Sequence, residues 1–118
     1  MKQNNKHENL QKLIIELKRA ATKNDSAIWK RIASDLAKPT RNQRVVNIYK
    51  INQHTQENET IIVPGKVLGT GDLTHKVNVA AYKFSDEAHK KINANGSAMT
   101  IEELVKQNPQ GKKIKIIG

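Results

Sequence analysis

Apolar residues near the start of the chain return every three to four positions. Leu10, Leu13, Ile14, Leu17, Ala20 and Ala21 fall on one side of a helix, while Lys12, Glu16, Lys18 and Arg19 fall outside that stripe. The pattern predicts a helix of about 13 residues. Asn24-Asp25-Ser26 interrupts it and offers a new N-cap, after which Ile28, Trp29, Ile32 and Leu36 repeat the helical spacing until Lys38-Pro39 stops it. Trp29, on that apolar stripe, is expected in the core rather than as a base-stacking residue. Thr40 to Asn52 reads as a third, shorter helix. It would turn Val45, Ile48 and Tyr49 (or Ile51) inward and line up Arg41, Arg44 and Asn47 on the other side.

The polar stretch Asn52 to Glu59 then separates a helical first portion, 1–51, from a second portion, 52–118, with a different grammar. Here short β-rich runs follow one another: Thr60 to Val63, Val77 to Phe84, Ala98 to Thr100 and Lys113 to Ile117. Ser85 is placed to cap a helix running to about Asn93, ended by Gly96 in a left-handed conformation. Thr100-Ile-Glu-Glu103 has the form of a capping box opening a helix to Gln107, and Asn108-Pro109-Gln110-Gly111 reads as a turn. The fold class is mixed α/β, with no period regular enough for a solenoid.

Length and charge narrow the picture. A chain of 118 residues supports one core and one domain. No cysteine is present, so disulfide staples, thiolate chemistry and cysteine-liganded zinc are excluded, and a reducing interior such as the cytoplasm is the natural setting. No apolar run approaches a membrane span, and Met1 to Lys12 is polar where a signal peptide would be apolar, so neither insertion nor export is expected. The net charge of +10 attracts polyanions, nucleic acid first and an anionic membrane surface second.

That charge is uneven. Residues 1–50 hold 12 basic and 4 acidic side chains, whereas 51–118 hold 9 and 7. Lys38 to Lys50 carries four cations and no acid, interleaved with Asn42, Gln43 and Asn47, which are able to donate to phosphate or to base edges. It reads as a docking strip, with Arg31 just upstream; the plainer alternative is a solvated connector with ordinary surface cations.

Pro64-Gly65-Lys66-Val67-Leu68-Gly69-Thr70-Gly71 is the least ordinary segment. It fails both nucleotide patterns: the lysine follows the first glycine instead of closing a P-loop, and Thr74 stands where a dinucleotide fingerprint needs its third glycine. The glycines still permit positive φ and close backbone approach, so Lys66, Thr70, His75 and Lys76 beside Gly65, Gly69 and Gly71 form a candidate phosphate-contact loop. The alternative is a tight connection whose glycines serve geometry alone. Other chemistry is thin. His7, His54, His75 and His89 never fall three or four apart, so no metal site is expected. Asp86-Glu87 and Glu102-Glu103 sit in first helical turns, where carboxylates complement the helix dipole. No serine lies in a nucleophile elbow.

These residues also carry a family resemblance. Leu13-Ile-x-x-Leu17-Lys18, Ile28-Trp29, Lys38-Pro39, Val46-Asn47-Ile48, Ile62 to Gly71, Val79 to Ser85 and Asn108-Pro109-x-Gly111 resemble, in order, the archaeal and eukaryotic large-subunit ribosomal protein eighteen-e, a relative of bacterial large-subunit protein fifteen. The resemblance covers nearly the whole chain, and the Val-Pro-Gly-Lys-Val-Leu-Gly block is its most specific part. It implies a single domain in which N-terminal helices pack on an irregular stack of β-β-α turns. It implies a non-catalytic constituent of the large ribosomal subunit that binds folded rRNA beside neighbouring ribosomal proteins, without cofactor, small-molecule substrate or membrane. Carried onto this sequence, it points to Lys38, Arg41, Arg44, Gly65, Lys66, Gly69, Thr70 and Gly71 as RNA contacts. Two other classes rest on single features: a small phosphate-handling enzyme on the glycine segment, and a general DNA-coating protein on charge. The scarcity of aromatic residues favours helices and junctions over single strands as the target.

Overall fold

Strand alternation decides the layering. The computed structural model describes residues 5–38 and 44–118. Its elements run α1 (Asn5–Asn24), α2 (Ala27–Leu36), β1 (Arg44–Asn47), α3 (Ile48–His54), β2 (Glu59–Leu68), β3 (Val77–Phe84), α4 (Asp86–Asn95), β4 (Ser97–Thr100), α5 (Ile101–Gln107) and β5 (Ile114–Ile116). The strands form one sheet in which every pairing is parallel. β3 lies between β2 and β4, and β1 and β5 pair end to end with the far edge of β2, β5 beside Thr60 to Ile62 and β1 beside Gly65 to Leu68.

Because successive strand side chains point to opposite faces, the buried run Ile61-Ile62-Val63 feeds two cores. Ile61, Val63, Val79 and Ala81 meet Ile48, Ile51, Ala88 and Ile92 from α3 and α4. Ile62 and Ala80 meet Leu13, Leu17, Trp29, Ile32, Leu36, Ile101 and Leu104 from α1, α2 and α5. The β-β-α turns of the second portion thus take the form of a parallel sheet with helices on both faces, within the mixed α/β class read from sequence.

Several elements follow the sequence closely. β3 spans Val77 to Phe84 as expected; Ser85 Oγ accepts from the Ala88 amide at 3.2 Å. At α5, Thr100 Oγ1 accepts from the Glu103 amide at 3.1 Å and Glu103 Oε1 accepts from the Thr100 amide at 2.8 Å, completing the capping box. Thr100→Ala should cost about 1 kcal/mol, measurable as a lowered urea midpoint at unchanged slope. Trp29 is fully buried, and its indole Nε1 donates to the Pro109 carbonyl at 2.7 Å, which seats the Asn108 to Gly111 turn on α2.

Other expectations are corrected. The first helix is longer, 20 residues, and closes with Asp25 at φ 50 and the Ser26 amide donating back to the Ala21 carbonyl at 2.9 Å. Ser26 stands at the N-cap of α2, but its hydroxyl donates to the Gln110 carbonyl at 3.1 Å instead of capping. Gly96 is not left-handed: its φ is −157, and a Cβ there would lie 2.0 Å from the Val77 carbonyl oxygen, so glycine serves close approach of β4 to β3. The predicted helix over Thr40 to Asn52 is, within its described part, a strand followed by a short helix. Ile48 and Ile51 are buried, as the alternative with Ile51 inward has it, and Val46 is buried as well, while Tyr49 is 50% exposed and Val45, expected inward, is 59% exposed. Parallel pairing with β2 outweighs a local periodicity carried by only three apolar positions.

α1 meets α5 through a carboxyl pair. The Glu16 carboxyl hydrogen-bonded to Glu102, with some burial and mutual repulsion, raises the Glu102 pKa above its ordinary 4.5, and Lys106 offsets this in part. The folded chain therefore holds that proton more tightly than the unfolded chain. The resulting stabilisation is complete below about 4.5 and is lost as pH rises through the raised folded value. Glu102→Gln should flatten this decline and raise the melting temperature relative to the parent at about pH 7 more than at about pH 4. Parallel melting curves for the two proteins across that interval would contradict it.

Candidate nucleic-acid interface

The docking strip and the glycine segment, separate in sequence, are hydrogen-bonded neighbours in the fold. β1 pairs with the second half of β2 in the register Arg44 to Gly65, Val45 to Lys66, Val46 to Val67 and Asn47 to Leu68. Gly65 makes this possible: a Cβ there would fall 2.0 Å from the Arg44 carbonyl oxygen. β2 does not end at Val63 as its apolar run suggests. It continues through a bulge at Pro64-Gly65, where the register against β3 shifts between Val63 and Lys66, so a residue with no amide to donate is tolerated inside a central strand.

Partner residues on adjacent parallel strands share a face, so exposed Lys66 stands between exposed Val45 on β1 and Lys83 on β3. The Lys83 ammonium lies 5.6 Å from the centre of the Tyr82 ring. This brings a second lysine beside Lys66, one that sequence reading did not single out, because only the sheet register places it there.

Lys38 and Arg44 of the strip are tied to one carboxylate. Asp35, buried near the end of α2, sits 3.4 Å from Lys38 Nζ and 3.7 Å from an Arg44 guanidinium nitrogen. Arg44 keeps 28% of its side-chain surface exposed and Lys38 51%. Arg31 lies exposed one turn before Asp35 on the same flank of α2. Arg41 and Asn42 lie outside the described residues. Asn47 is half-buried at the N-cap of α3, and its buried Oδ1 faces inward without a hydrogen-bond partner among the described residues.

After β2 the chain turns through Gly69-Thr70-Gly71, and its carbonyls face donors behind the loop. Lys91 Nζ from α4 donates to Gly69 O at 2.7 Å and Gly71 O at 2.6 Å, while the Tyr49 amide donates to Thr70 O at 3.0 Å. Gly65 and Gly69 are buried, and a Cβ on Gly69 would meet the Glu87 side chain at 2.7 Å. Of the segment's three glycines only Gly71 has positive φ, at 105. Gly65 and Gly69 therefore shape the loop from within, and Thr70 and Lys66 offer the exposed side chains.

His75 is half-buried against Thr55, with its Nε2 2.8 Å from the threonine Oγ1. Because that hydroxyl donates to the Ile51 carbonyl at 2.7 Å, the imidazole Nε2 carries the proton and donates to Thr55. Lys76 is exposed at the entrance to β3. Asp35 and Lys91 are the organising residues that sequence reading missed. Both carry ordinary surface chemistry, and the partners that organise the site are non-local, beside the local pairs Asp35 makes with Lys38 three residues on and Lys91 with Glu87 four residues back.

Among the described residues, no group of three or more histidines or carboxylates is placed to hold a metal, and no helix is long and apolar enough to cross a membrane. What the described residues offer is a set of cations and hydrogen-bond donors around the β1–β2 pair.

The fold is a mixed α/β domain with cations gathered at one sheet edge, and comparison with known proteins gives its class. The chain belongs to the family described as "Ribosomal proteins 50S-L15, 50S-L18e, 60S-L27A", whose model matches residues 7–100. It is similar to the large ribosomal subunit protein eL18 of Methanothermobacter thermautotrophicus, at 50% identity over 110 residues that cover 92% of this chain and 91% of the relative. The proteins of the same name from Methanoregula boonei and Archaeoglobus fulgidus are 49% and 46% identical, each match covering 92% of this chain and 90% and 94% of the relative.

Proposed function

We propose that this ribosomal protein is a non-catalytic constituent of the large subunit of cytoplasmic ribosomes, holding folded rRNA in place beside neighbouring ribosomal proteins. Its phosphate-binding face is the β1–β2 edge with the end of α2. The observation that carries this reading is the register that sets Arg44 and Val45 against Gly65 and Lys66, fusing the cationic strip and the glycine segment into one surface. The family membership and the net charge of +10 support it.

In this reading Lys38, Arg44, Lys66 and Lys83 neutralise phosphates, with Arg31 extending the face along α2 and Arg41 and Asn42 contributing from the same stretch of sequence, while Lys76, beside Asn58 at the opposite end of β3, meets phosphate apart from this face. Thr70 adds a hydroxyl donor, and His75 contacts RNA through the ring edge not engaged with Thr55. Gly65, Gly69 and Gly71 hold the loop shape that presents Lys66 and Thr70. Each neutralised phosphate releases condensed counterions, so affinity falls with salt by about 0.7 to 0.9 logarithmic units per contact. Selection comes from the shape and hydroxyls of folded RNA more than from base sequence.

The test is a binding titration of the protein with deproteinised large-subunit rRNA, repeated over a salt series. Lys66→Ala should weaken binding and reduce the salt slope by about 1. Affinity for duplex DNA equal to that for rRNA would overturn the reading in favour of a general nucleic-acid coat.

A further inference from the structure

We infer that Tyr49 is a stacking platform for an unpaired nucleobase of the bound RNA, an inference that rests on the rRNA-binding reading above. The four aromatic residues of the chain are disposed very differently. Trp29 is fully buried, Phe84 and Tyr82 are partly buried against the two cores, and Tyr49 is half exposed. Core packing sets its direction. Ile48 and Ile51 are fully buried, so the first turn of α3 is oriented by them and Tyr49 points to solvent.

A lone exposed aromatic is ordinary on a protein surface. This one is seated. Its amide donates to the Thr70 carbonyl at 3.0 Å, and the loop passes so close that a Cβ on Gly71 would lie 2.6 Å from both the Tyr49 amide nitrogen and its Cβ. Gly71, at φ 105, is the residue that permits the approach. The backbone beneath the ring is thus fixed before any ligand arrives, and a tyrosine has only two side-chain torsions to immobilise, so ordering it costs little on binding.

The surroundings identify the occupant. Between Leu36 and Gln56 the sequence carries no carboxylate, and Lys50 follows Tyr49 directly, while Arg44 reaches to Asp35 and Lys66 faces the other side of the sheet. Asp72, exposed just past Gly71, is the acidic residue next along the loop. An exposed ring in an acid-free, basic stretch matches a ligand with flat bases on a chain of phosphates, in which the base covers the ring and a neighbouring phosphate meets Lys50. The inference makes one extruded base at this spot compatible with recognition of otherwise folded RNA.

The experiment measures binding of deproteinised large-subunit rRNA by the parent, Tyr49→Ala and Tyr49→Phe proteins over a salt series, with thermal melts to verify folding. Tyr49→Ala should bind about 5- to 100-fold more weakly, Tyr49→Phe should bind like the parent, and both should keep the parent's salt slope, because stacking moves no counterions. If Tyr49→Ala binds within twofold of the parent, the stacking platform is refuted and the rRNA reading stands. A Phe variant as weak as the Ala variant would also refute it, since the hydroxyl would then be the contact. A salt slope lowered in Tyr49→Ala would refute it in favour of displaced cations. Failure of the parent to bind rRNA removes both readings together.

Discussion

Replacing Gly65 by alanine should destabilise the protein by about 3 kcal/mol and weaken rRNA binding at the same time. The new methyl group would sit 2.0 Å from the Arg44 carbonyl oxygen, a backbone atom of a paired strand that cannot rotate aside. β1 would have to retreat from β2, and with it Val46, which is buried in the core shared with α3 and α4. Lys66 would then lose its register with Val45, and Arg44 its position over the bulge. Urea denaturation and rRNA titration of the same sample check both effects. An unchanged midpoint with undiminished affinity would show that the β1–β2 pairing does not organise the site.

Trp29→Ala should cost about 3 to 5 kcal/mol, a large share of the total stability of a domain this size. The indole is fully buried among α1 and α2 residues and the sheet face that Ile62 and Ala80 line. Its Nε1 donor also holds the Pro109 carbonyl, so the Asn108 to Gly111 turn loses its seat on α2 along with the packing. Trp29→Phe fills most of the volume and removes only the donor, for a smaller expected cost of about 1 to 2 kcal/mol. Equilibrium unfolding of the two variants separates the contributions; equal losses would mean that the hydrogen bond, not the packing, dominates at this position.

Much of this fold was legible where one residue's chemistry acts locally. Ser85 and Thr100 cap helices because their side chains reach amides three residues on, and that relation is written in the spacing. The stripe Leu13, Ile14, Leu17 predicted burial correctly because a helix face needs no information from elsewhere. β1 was not legible. Its four residues precede a seven-residue helix, and the apolar positions of the two together imitate one helical period. What makes Arg44 to Asn47 a strand is the presence of Gly65 to Leu68, some twenty residues on, with no side chain at Gly65 to keep them apart. The continuation of β2 through Pro64 was hidden for a related reason, since a proline inside a strand is acceptable only where a bulge excuses its missing amide.

The candidate site divides in the same way. Lys38, Arg44 and Lys66 were legible as cations, because charge is a property of the residue. That Asp35 ties Lys38 to Arg44, that Lys91 supports the glycine loop from behind, and that Lys83 stands beside Lys66 are consequences of tertiary placement. Two of the segment's three glycines fit the alternative in which glycine serves geometry. Gly65 and Gly69 are small so that Arg44 and Glu87 may approach, which is a packing requirement, whereas Gly71 alone combines positive φ with a close neighbour, Tyr49.

A chain that works as a fixed part of the large ribosomal subunit must travel with that subunit. Sedimenting a lysate of the source cells through a gradient at moderate salt, and probing fractions for this chain, tests it most directly. We expect comigration with large subunits, whole ribosomes and polysomes, with release only at high salt; a chain that stays at the top of the gradient while the large subunits sediment normally would show that it is no part of them.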